Sequence, residues 1–175
     1  MQDINDFEIS PMMKNVWSAQ LEVLKEVKRV CEQLHIRFYA DWGTLLGAVR
    51  HHGFIPWDDD MDIGMLRRDY MSFLKEAPAI LKKPYEIKSV YSDPTDDIIK
   101  ARIINGRHMN FERDFLKQFA GCPYVVGIDI FPIDNITENK KNLEEQIQAL
   151  LDGKVLADDE FDEYGIFIEL EDAEK

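Results

Sequence analysis

Apolar residues recur at helical spacing through the N-terminal part of the chain. Val16, Val23, Val27, Val30 and Leu34 fall three, four or seven apart, and Leu24 and Cys31 widen the stripe. Ser10-Pro11 supplies a capping side chain followed by a first-turn proline, so the pattern predicts a long amphipathic packing helix from there to about His35. Ile36 to Asp41 then alternates and reads as a strand. Thr44 is placed to cap a short helix from Leu45 to about His52, which Gly53 stops. From Asp58 to Gly64 the chain reads as a second strand, with Asp58, Asp60 and Asp62 on one face and Asp59, Met61 and Ile63 on the other. Tyr70, Phe73, Leu74 and Ala77 keep helical spacing up to Pro78.

The second half reads as strands with one closing helix. Tyr85–Tyr91 and Ile98–Ile104 form two strands joined by a turn-rich segment, and Asn105-Gly106 predicts a hairpin return through Arg107 to Glu112. The stretch around Phe115 to Pro123 gives no clear pattern. Tyr124 to Asp134 is a nearly continuous apolar run, a buried central strand interrupted by Asp129. Glu138 to Leu151 has the spacing of an amphipathic helix. No internal repeat and no long linker is present.

Charge changes this picture at one end only. The 175 residues carry a formal net charge of −13, which argues against nucleic acid as a partner because a phosphate backbone needs a basic footprint. Ten acids and two lysines between Asp152 and Lys175 account for −8 of that, so the body is mildly acidic. The chain divides into a domain over residues 1–151 and an acidic tail over 152–175 holding one apolar patch, Tyr164 to Ile168. No apolar run approaches the roughly 20 residues that span a bilayer, and the N-terminus is acidic where a signal peptide is basic. The expected location is cytoplasmic, with Cys31 and Cys122 as reduced structural thiols.

Two features carry candidate chemistry. Gly43-Thr44 precedes a short helix, and free N–H groups at a helix N-terminus bind phosphate when glycine lets the backbone come close. Such a pair is also an ordinary cap. Gly43, Gly47 and Arg50 share a helical face, which turns Arg50 toward the same place. Asp58 to Asp62 is the stronger feature, because hard divalent cations take carboxylates together with substrate phosphates. An acidic surface turn is the plain alternative, weakened by the interleaved Met61 and Ile63 and by the lone carboxylate of Asp129 in an apolar strand. Lys100 and Arg102 point the same way along their strand and suit an anionic ligand.

Gly43-Thr44-Leu45-Leu46-Gly47-Ala48-Val49-Arg50, Gly53 to Gly64 with Pro56-Trp57-Asp58-Asp59-Asp60-Met61-Asp62, and Ile128-Asp129-Ile130-Phe131-Pro132-Ile133-Asp134 together resemble the LicD family of phosphocholine transferases. That family also includes the fukutin-related ribitol-phosphate transferases. The resemblance runs from about Val23 to Ile136. It implies an α+β fold of the nucleotidyltransferase-like kind, a mixed β-sheet flanked by helices. It further implies that Gly43 and Thr44 form the phosphate motif, that Asp60 and Asp62 are the metal-binding pair, and that Asp129 is the third carboxylate, expected to complete the metal site as a third ligand or to act as base toward the acceptor hydroxyl.

The implied activity is transfer of a phospho-substituted alcohol, phosphocholine from CDP-choline before others, to a hydroxyl of a glycan or glycolipid precursor such as lipopolysaccharide or teichoic acid. Mg2+ is the implied cofactor, with Mn2+ as a substitute, and Arg50, Lys100 and Arg102 are the implied charge partners of the donor. Two other readings are a nucleotidyltransferase that releases pyrophosphate from a nucleoside triphosphate, and a catalytically incomplete nucleotide-binding module. Family members continue well past the Ile-Asp-Ile-Phe-Pro motif, so residues 152–175 are expected to be a truncated or atypical version of that C-terminal part.

Overall fold

The computed structural model describes residues 8–92 and 100–134, together with Lys141 and Gln148. Helix α1 (Pro11–Leu34) forms as its pattern predicts: the Ser10 hydroxyl accepts from the Met13 N–H, and His35 closes the helix in a left-handed conformation. Ala19, Val23, Val27 and Val30 on its inner stripe are fully buried. Burying each valine is worth about 1.5–3 kcal/mol relative to leaving it in water.

Five strands form one sheet in the order β1-β2-β5-β4-β3. These are β1 (Tyr39–Ala40), β2 (Asp62–Leu66), β3 (Glu86–Lys88), β4 (Ala101–Ile104) and β5 (Gly127–Ile133). β2 and β5 run parallel and every other pairing is antiparallel. Between β2 and β3 comes α3 (Arg67–Ile80), and α4 (Arg113–Gln118) lies between β4 and β5. The result is the expected mixed sheet flanked by helices.

Alternation along the strands divides the sheet into an apolar face and a polar face. Ile63 and Met65 of β2, Ala101 and Ile103 of β4, and Ile128 and Ile130 of β5 join one core with α1 and with Tyr70, Phe73 and Ala77 of α3. The residues between them, Asp62, Arg102 and Asp129, consequently share the other face.

Several boundaries differ from expectation. The second strand starts at Asp62 rather than Asp58, because residues 58–61 are held as irregular chain by α1. The first strand is only Tyr39–Ala40. The hairpin return over 107–112 does not form: β4 already has β3 on one edge and β5 on the other, so no edge is left for a third strand. Asn105 instead bonds the segment before β5, accepting from the Val126 N–H at 2.9 Å and donating to the Tyr124 carbonyl at 3.2 Å. α3 runs through Pro78 to Ile80, since a proline in the last turn forgoes only one ladder bond. In the unread stretch, Phe115 and Phe119 pack as a buried pair, with Tyr85 edge-on to Phe119. The expected 138–151 helix, apart from Lys141 and Gln148, and the acidic tail lie outside the described residues.

Candidate active site

The polar face of β2, β5 and β4 meets the N-terminus of helix α2 (Trp42–Arg50). Asp41, not Thr44, caps this helix: its carboxylate accepts from the Trp42 N–H at 2.9 Å. Thr44 does other work from inside the first turn. Its hydroxyl accepts from the Asp62 N–H at 2.8 Å and so ties α2 to the first residue of β2. Gly43 has a steric reason to be glycine, because a Cβ there would sit 2.5 Å from Oδ2 of Asp58. The Asp58 carboxylate therefore lies directly against the turn that sequence reasoning offered to phosphate.

Helix α1, which its pattern marks as packing alone, also positions this loop. The Trp17 indole N–H donates to the Asp58 carbonyl at 2.7 Å, and the buried Gln20 amide donates to the Asp59 carbonyl at 2.7 Å. Trp17 also stacks on Phe54 at 4.9 Å. These two backbone clamps aim the aspartate loop at the sheet. The residue types gave no signal for it, since both side chains sit on an ordinary amphipathic helix. An apolar cavity of about 470 Å3 opens beside the loop, walled by Leu24, Phe38 and Phe54 with Asp58 and Asp60 at its polar edge.

Asp62 and Asp129 face each other in register across the parallel β2–β5 pair, and Arg102 is in register with Asp129 on its other side. Asp129 is only 2% exposed. Lys100 donates to one of its oxygens, and Arg102 donates through both Nε and Nη2, the latter at 2.9 Å. Burial alone raises a carboxyl pKa, but these hydrogen bonds outweigh it and hold Asp129 below the ordinary range. The same pairing raises Arg102 further. Asp62 has no such partner, so burial, followed by the charges of Asp60 and Asp129, pushes its carboxyl up to about 6. Asp60 belongs to an exposed residue, yet its carboxyl is also raised, first by partial desolvation and then by a hydrogen bond and the charge of Asp58.

The site residues read from the sequence thus form one contiguous group, with one at a distance. Gly43, Thr44, Asp60, Asp62, Lys100, Arg102 and Asp129 lie together. Arg50, at the far end of α2, donates to the neighbouring His51 ring at 2.9 Å instead. The structure adds Trp42. Its φ of 41° is a left-handed conformation costly for a bulky residue, and its ring is 67% exposed, tilted toward Phe131 at 6.1 Å. Strain that packing does not repay gathers at functional sites. A bidentate pair between the buried Arg67 and the partly exposed Asp134, at 2.9 Å on both arms, fastens the far end of the same two strands. One offset along the chain relates Arg67 to Asp134 and Asp62 to Asp129, as the register of parallel strands demands.

Crowded carboxylates with raised pKa values are a donor set that suits a hard divalent cation, which needs only one or two carboxylates beside substrate oxygens. Asp60 and Asp62 meet that requirement. Asp129 does not join them at one point: among the described residues, no three acidic, histidine or cysteine side chains converge as a metal shell.

A mixed sheet presenting aspartates and cations beside a short helix is the construction of a nucleotidyltransferase-type domain. Residues 35–148 match the LicD/FKTN/FKRP nucleotidyltransferase domain, and the chain belongs to that family. It is 46% identical over 54 residues to the lipopolysaccharide cholinephosphotransferase LicD of Haemophilus influenzae, a match covering 31% of this chain and 20% of that protein. It is 42% identical over 51 residues to the human ribitol 5-phosphate transferase FKRP, covering 29% of this chain and 10% of that protein. An uncharacterized protein of Rickettsia typhi is 39% identical over 67 residues, covering 38% and 22% respectively. The matches therefore span about a quarter or less of the relatives' lengths. No described helix is long and apolar enough to cross a membrane.

Proposed function

We propose that this chain carries the catalytic site of a transferase that moves a phospho-substituted alcohol onto a hydroxyl of a cell-surface glycan precursor. Phosphocholine from CDP-choline is the first donor to consider, with CMP as the leaving group. The observation that carries this reading is the register of Asp62 against Asp129, flanked by Lys100, Arg102 and the α2 N-terminus, in a chain of the LicD family. Asp60 and Asp62 are the proposed ligands of Mg2+, which Mn2+ can replace and which supplies charge neutralisation to the donor diphosphate. Gly43 and the turn around it are the proposed phosphate contact, which requires the Asp58 carboxylate lying against them to swing aside, while Thr44 keeps α2 fixed to β2. Lys100 and Arg102 are the proposed cations for the transferring phosphoryl group, and Asp129, held ionised by them, orients both. Arg50 reaches the donor only by leaving His51. The apolar cavity beside Asp58 and Asp60 is shaped for the non-phosphate part of a small ligand.

Product analysis tests the reading. Incubation with CDP-choline, Mg2+ and a lipopolysaccharide or teichoic acid precursor is expected to release CMP and to label the glycan. Pyrophosphate released from CTP would assign nucleotidyl transfer instead. Metal-dependent binding of CDP-choline with no turnover would assign a binding module.

A further inference from the structure

We propose that Lys100 is the exchangeable counter-cation of Asp129, and that a divalent cation held by Asp60 and Asp62 recruits Asp129 by displacing Lys100 from it. This rests on Asp60 and Asp62 being metal ligands, as proposed above. The geometry shows one carboxylate holding two cations. Asp129 accepts from Lys100 and from two nitrogens of Arg102, so both of its oxygens are occupied while Asp60 and Asp62 lack a cation of their own. One positive charge is therefore in excess at Asp129, on the strand adjacent to Asp62.

The two cations are not equally able to leave. Arg102 holds Asp129 through a planar fork with two N–H groups, from a residue in register on the adjacent strand. Lys100 makes a single contact from a flexible stem just before β4 begins, and its ammonium also lies 5.3 Å from the centre of the Phe131 ring. A metal ion entering beside Asp60 and Asp62 repels this ammonium and competes for the oxygen it holds. Asp129 is then free to turn toward the ion, and Lys100 is free for an anionic donor. Lys100 thus couples metal entry to its own release as a phosphate-binding cation.

The test is the affinity of the chain for Mn2+ alone, measured by electron paramagnetic resonance. Lys100→Met is expected to bind Mn2+ about tenfold more tightly than wild type, the order that removing one nearby charge supplies at the effective dielectric of a half-exposed site. Lys100→Arg keeps the charge and is expected to stay near wild type. A purely structural role predicts the opposite sign, since a damaged site binds metal less well. Unchanged or weaker binding by Lys100→Met overturns the proposal. On the unaltered chain, reductive methylation of Lys100, read by peptide mass spectrometry, is expected to speed up several-fold when Mn2+ is added, and a rate that does not change overturns it too. If wild type and Lys100→Met both bind no Mn2+, the metal reading of Asp60 and Asp62 falls, and this inference falls with it.

Discussion

Asp62 and Asp129 occupy matching positions on neighbouring parallel strands, both nearly out of solvent, yet their carboxyls titrate on opposite sides of the ordinary value. Burial acts on both in the same direction. What separates them is β4, which flanks β5 and brings Lys100 and Arg102 to Asp129, whereas the other neighbour of β2 is β1, which brings no cation. Strand order has therefore made one aspartate a satisfied ion-pair partner and the other a carboxylate in want of a cation. Under the proposed function the difference gives them separate tasks: Asp62, with Asp60, is the proposed metal ligand, while Asp129 holds the cations proposed for a phosphate.

The comparison can be broken most severely by removing the unsatisfied side. Asp60→Asn together with Asp62→Asn is expected to lower turnover by at least about 100-fold, the order seen when one preorganised electrostatic contact to a transition state is lost. CMP release at a near-normal rate by the double variant would contradict the assignment. Removing the satisfied side should instead show in stability. Asp129→Asn leaves Lys100 and Arg102 facing each other without a carboxylate, and urea denaturation is expected to report a loss of ~2 kcal/mol, below the range for a fully buried pair because both cations are partly exposed.

The pH dependence sharpens the contrast. The Asp62 pKa is raised from 3.8 to about 6 on folding, so between those values the folded chain holds a proton that the unfolded chain has lost. Stability from this group is present at low pH and declines as pH rises through that window. Asp129, shifted down, gains stability with rising pH, and its window lies below 3.8. The melting temperature of the metal-free chain should therefore carry a falling component between about pH 4 and pH 6, which Asp62→Asn or added Mg2+ flattens. The smallest expected effect is at the loop clamps. Gln20→Ala removes the bond to the Asp59 carbonyl and should cost ~1 kcal/mol in stability, with a larger rise in donor KM than in acceptor KM.

Legibility from sequence followed how local each cause is. α1 was readable end to end, because Ser10, Pro11 and a valine stripe are signals within one element. The α2 cap was misread, since Asp41 and Thr44 are both good capping residues and only the approach of Asp62 shows which role Thr44 takes. The 107–112 return failed for a non-local reason: Asn105-Gly106 carries a turn signal, but the edge it needed belongs to β5. That Asp62 and Asp129 come side by side was legible from their motifs, whereas among the described residues Asp129 does not converge with Asp60 and Asp62 into one shell. That Lys100 and Arg102 spend their charge on Asp129 was not legible, because it follows from strand order rather than spacing. Trp17 and Gln20 were invisible for the same reason: their work is hydrogen bonding to the backbone of a segment some forty residues away.

The most direct measurement is a crystal structure of this chain soaked with Mg2+ and CDP-choline. The account predicts a metal ion on Asp60 and Asp62, the donor diphosphate between the α2 N-terminus and Arg102, and Lys100 moved off Asp129 toward a phosphate oxygen. Nucleotide bound elsewhere, or a diphosphate seated with no ion on either aspartate, would contradict it.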